Sequence, residues 1–121
     1  MQQCPKNIKR LLREYTGEAN ERELHRELAK LDQSFAEWRD GRISNGELSY
    51  RVHQYEAGPS RELYKKYHYS PHDANVAYAI VTGILKRDEI PSELLEAISS
   101  LLAFFQSRKE AGELKRPGEY P

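Results

Sequence analysis

The stretch VAYAIVTGILK, residues 76–86, is apolar nearly all round in a chain where 31% of residues are charged. Two residues ahead of it stand Ser70, Pro71, His72 and Asp73. Ser is a preferred helix cap, Pro is preorganised for a first turn, and an acid belongs near a helix start. The pattern predicts a helix over 71–87 whose whole circumference is covered by protein. Ala77, Ala79 and Gly83 would let its neighbours approach closely. A fold must therefore be built around this segment.

The other segments are amphipathic, and no stretch alternates convincingly between apolar and polar residues, so the class expected is all-α. Ile8, Leu11, Leu12 and Tyr15 share one face, and Gly17 is placed to cap that helix. Asn20 and Glu23 read as a capping box opening a second helix. Its apolar positions Leu24, Leu28, Leu31, Phe35 and Trp38 follow heptad spacing, a seam suited to an intramolecular hairpin, and Gly41 ends it. Ser44 and Glu47 open a third helix, with Leu48, Val52 and Tyr55 inward. Gly58-Pro59 reads as a break, or at least a bend, followed by a short helix over 60–69. Pro91, Ser92 and Glu93 open the last helix, whose Leu94 to Phe105 stripe is wide enough that Phe104 sits at its edge. The expectation is one domain over 1–111, five or six helices around the 71–87 helix, and a flexible tail over 112–121.

Composition removes several functional classes. The chain has 19 basic and 19 acidic residues among 121, a net charge of zero. Nucleic-acid binding is therefore not expected, because phosphate neutralisation demands a basic excess. Cys4 stands alone, which forbids an internal disulfide and suits a reducing compartment, so the cytoplasm is expected. No apolar run approaches a membrane span. No cofactor loop is present. Residues 40–47 resemble the second half of a calcium loop, but Ala36 and Trp38 stand where the leading oxygen ligands belong. His68 and His72 have zinc-like spacing, with Ser70-Pro71 between them and no third ligand nearby. No metal is expected.

Six of the eight tyrosines and three of the four histidines fall in residues 50–78. Tyr, His and Arg join an apolar body to a polar tip, the chemistry that protein interfaces enrich. Tyr50, His53, Arg61, Tyr64, Tyr67 and His68 are the candidate binding residues, Arg61 being expected in a first turn where the helix dipole opposes it. Arg61 and His68 also carry a second reading. Seven residues apart on a helix they share a side, and an arginine with a histidine is minimal equipment for metal-free RNA cleavage. The Arg-x6-His spacing is similar to the motif of HEPN ribonucleases, small helical domains that act as dimers. The resemblance covers these two residues, and Glu62 stands where that family commonly has Asn, Asp or His. The function expected is a non-enzymatic interaction or accessory protein, its partner another protein or a second copy of itself. The alternative is a HEPN-like ribonuclease using Arg61 and His68.

Overall fold

The computed structural model describes residues 5–120, and every regular element among them is helical. The first helix, α1, is Lys6–Arg39, one uninterrupted rod of 34 residues. Gly17 does not stop it. Thr16 and Ala19 on either side of that glycine are buried against the core, so packing holds the helix together where intrinsic preference would fray it. The expected restart at Asn20 is likewise absent, and Glu23 spends its carboxylate on distant side chains. Gly41 ends the rod as expected. Its φ of 76° lets Arg42 N–H donate to the Glu37 carbonyl and Gly41 N–H to that of Trp38.

Ser44 caps the next helix, its hydroxyl accepting from Glu47 N–H at 3.0 Å. This helix, α2, is Asn45–Tyr55. Contrary to expectation, Gly58-Pro59 does not break the chain. A π-helical turn over Glu56–Ser60 joins α2 without interruption to α3, Arg61–Tyr69. Wider π geometry absorbs one extra residue and accommodates the proline ring. Ser60 has helical dihedrals (φ −60°, ψ −48°), so Arg61 lies inside a continuous helix rather than in a first turn. The dipole conflict expected there does not arise.

Ser70 and Pro71 are extended, and α4 follows at His72–Thr82. It is the buried centre that the sequence predicts. Val76, Ala77 and Ala79 are inaccessible and Ile80 and Val81 nearly so, with α1, α3 and α6 packed around them. It stops five residues short of 87, because Gly83 takes a left-handed conformation (φ 86°) and caps it. The last expected helix is two, α5 at Ser92–Ala97 and α6 at Ser99–Glu110. Ile98 (φ −110°, ψ 18°) interrupts the helix between them, and Leu94, Ile98 and Leu102 are all buried in the core.

The heptad seam behaves differently from its pattern. The far half of α1 does pair with α2, through Arg51 bonded to Ser34 and Glu37. Yet the buried positions there are Glu23, Glu27 and Ser34, while Leu28 and Trp38 are exposed. Residues 112–120, expected as a flexible tail, lie across the body. Leu114 and Tyr120 pack on the core, and the Tyr78 hydroxyl donates to the Lys115 carbonyl at 2.7 Å.

Candidate functional site

The continuous helix over residues 45–69 positions most of the predicted site. In an α-helix, eight residues turn through about 800°, which would leave His53 and Arg61 about 80° apart. One residue absorbed by the π-turn takes back about 100°, leaving them roughly 20° from a common line. The structure accordingly places both on one shallow groove of about 330 Å³, lined by His53, Glu56, Ala57 and Arg61. Among the described residues neither His53 nor Arg61 makes a side-chain hydrogen bond or ion pair.

The same outer stripe extends in both directions. One turn before His53 is Tyr50, 55% exposed, and one turn after Arg61 is Tyr64, 56% exposed. His68 stacks on the Tyr64 ring with centroids 3.8 Å apart, and its Nδ1–H donates to the Tyr64 carbonyl at 3.0 Å. Tyr69, 76% exposed and absent from the predicted set, adds an edge-on contact to Tyr64. Five of the six predicted residues thus share one outward stripe. Tyr67 lies on the opposite side of the helix, buried in the core. Arg61 and His68 are on the same side, but the groove that Arg61 lines does not include His68.

Tyr67 belongs to a polar cluster that local sequence reasoning missed. Its hydroxyl donates to Glu23, a carboxylate only 2% exposed, and Lys66 Nζ donates to the same oxygen at 2.9 Å. The Lys66 ammonium also sits 3.9 Å from the centre of the Tyr78 ring. Burial pushes Lys66 below the ordinary lysine range while Glu23 pulls it back. Burial and the Glu23 bond hold the Tyr67 phenol well above its usual range, and burial pushes Tyr78 up to about 12. Arg26 links the neighbouring Glu27, at 3.0 Å, to the Tyr120 hydroxyl, at 3.2 Å. A cavity of about 280 Å³ is lined by Glu23, Lys66 and Tyr78 together with the strap formed by residues 115–120. Every buried polar side-chain atom described has a partner, so the cluster closes on itself and presents no free valence.

No group of three or more His, Cys, Asp or Glu side chains among the described residues could hold a metal ion. In the calcium-like stretch, the Glu47 carboxylate is taken by Arg51 Nε at 3.0 Å. Cys4 lies outside the described residues. Among the described residues no helix is long and apolar enough to cross a membrane. Comparison with protein-family models, with curated proteins and with solved structures finds no match to this chain.

Proposed function

We propose that the protein is a non-enzymatic interaction module of the cytoplasm. Its recognition surface is the outer stripe Tyr50, His53, Arg61, Tyr64 and His68, joined by Tyr69, and its partner is another protein or a second copy of the chain. The observation that carries this reading is the alignment of exposed tyrosines with an arginine that has no ion-pair partner among the described residues, along one unbroken helix. Tyrosine and arginine are the residues in which interface energy concentrates. Large aromatic faces turned to water cost stability and gain nothing unless something covers them. The cytoplasmic setting rests on the single cysteine.

The ribonuclease alternative draws on Arg61 and His68 lying on the same side of the helix. It is the weaker reading, because His68 is stacked on Tyr64 and spends Nδ1 on a backbone carbonyl away from the Arg61 groove. Incubation with single-stranded RNA, comparing the protein with Arg61→Ala and His68→Ala, tests it directly. No cleavage is expected from any of the three.

The interaction reading is tested by a photo-crosslinking amino acid placed at Tyr50, at Tyr64, and at exposed Gln33 on α1 as an off-stripe control. Discrete crosslinked products are expected from the first two positions and not from the third. No product at either tyrosine, or equal products at Gln33, would remove the stripe as the recognition surface.

A further inference from the structure

The π-turn selects a chemistry for one point on this surface. A regular helix would splay His53 and Arg61 apart; the π-turn over Glu56–Ser60 brings them onto one groove with Glu56 and Ala57. π-turns carry a poorer hydrogen-bond ladder and are found often where a helix must re-aim its side chains for a function. Pro59 adds to that cost, since it has no N–H to give the ladder. The arrangement so obtained leaves a guanidinium with no acceptor among the described residues beside an imidazole with no hydrogen-bond partner among them. An arginine held this way presents its planar fork for two parallel hydrogen bonds to an oxyanion.

The charge of the groove decides which oxyanion fits. Arg61 contributes +1 and Glu56 −1, so the strong donor of the groove stands beside a carboxylate that offsets its charge. A phosphate near two negative charges would face Glu56 across the same small volume and be repelled. A carboxylate carries one charge and matches the fork of Arg61. We propose that the groove formed by His53, Glu56, Ala57 and Arg61 binds a side-chain carboxylate of an acidic partner segment. Arg61 takes the two oxygens, His53 donates a further hydrogen bond, and Tyr64, one turn along, packs against the apolar part of the same segment. This rests on the reading of the stripe as an interaction surface and specifies the partner: an acidic segment with aromatic or apolar neighbours.

The probe is a random copolymer of glutamate and tyrosine, titrated into the isotope-labelled full chain and followed by amide chemical shifts. Shifts centred on His53, Glu56, Ala57 and Arg61 are expected. Arg61→Ala should weaken them at least tenfold. Arg61→Lys should also weaken them, because an ammonium cannot form the paired bonds of a guanidinium. Glu56→Gln should tighten binding severalfold. Arg61 is exposed, so unchanged amide positions elsewhere will confirm that each variant is folded. Absence of shifts at the groove, or equal binding by Arg61→Ala, would overturn the proposal. Tighter binding of a phosphoserine peptide at the same amides would overturn the carboxylate assignment. Crosslinks at Tyr50 and Tyr64 without copolymer binding would remove the carboxylate site and leave the interaction surface; copolymer binding at the groove without those crosslinks would do the reverse.

Discussion

Glu23 is the residue on which most of the interior polar chemistry converges. Its carboxylate receives Tyr67 and Lys66 while sharing only 2% of its surface with solvent. A buried charge is tolerable only when paired and hydrogen-bonded, and removing its partners leaves an uncompensated ion. Replacing Glu23 with alanine should therefore cost about 3–5 kcal/mol in denaturant unfolding, since Lys66 would be left without its anion. The two phenols lead to a pH prediction. Tyr67 and Tyr78 stay protonated in the folded protein above the pH at which an unfolded chain loses those protons. Between about pH 10 and 12 the unfolded state thus binds fewer protons than the native one, and stability falls as pH rises, by about 1.4 kcal/mol per pH unit for Tyr67. Tyr78 steepens the same slope. Denaturation midpoints across this window, compared with Tyr67→Phe, should show the slope reduced in the variant. None of this cluster is legible in the sequence. Glu23 is separated from Lys66 by 43 residues and from Tyr67 by 44, and no local pattern announces pairs at that distance.

At the scale of the elements, local signals were readable wherever the interaction that sets them is local. Ser44 with Glu47 and the stop at Gly41 are settled by a few neighbouring backbone groups, and both are as expected. Gly17 was misread because the forces that carry α1 past it come from the core. The joint at residues 56–60 differs from expectation for a related reason, since a Gly-Pro pair looks the same whether the chain turns away or widens into a π-turn. The groove of His53 and Arg61 was hidden with it: the residues were identified, but their alignment depends on the absorbed residue. The interruption at Ile98 had no sequence mark at all. Two glycines make the difference measurable. A Cβ at Gly17 meets nothing within 4 Å, and the site is helical, so Gly17→Ala should stabilise by about 0.5–1 kcal/mol. Gly83 has φ 86°, so Gly83→Ala should destabilise by about 1–2 kcal/mol. Opposite signs in thermal unfolding check both; a stabilising Gly83→Ala would refute the left-handed cap.

The whole molecule is organised around α4, and its polarity explains why the rest must lean on it. With 38% apolar residues the chain has little to bury beyond one central element, so the surrounding helices spend their stripes on that helix and leave charged faces outward. Truncating Ile80 to alanine should consequently cost about 2–5 kcal/mol, the range for large-to-small changes in a packed interior. The remaining open side of α4 is where residues 113–120 lie. Their hold on the body runs through the Tyr78–Lys115 and Arg26–Tyr120 hydrogen bonds and through partly buried Leu114 and Tyr120. The expectation of a flexible tail came from its lack of periodicity, which is a poor guide to a segment fastened by side chains 37 and 94 residues away in the chain. A chain ending at Gly112 separates the two descriptions. Losing two partly buried side chains should lower stability by about 2–3 kcal/mol while the helical circular dichroism of the body is retained. The same truncation should speed amide exchange in the first turns of α3 and along α4 facing Lys66 and Tyr78, because the strap that forms one wall of the 280 Å³ cavity over Glu23 would be gone. An unchanged denaturation midpoint, with unchanged exchange in α4, would show that the segment behaves as a free tail and that the cavity beneath it is already open to solvent.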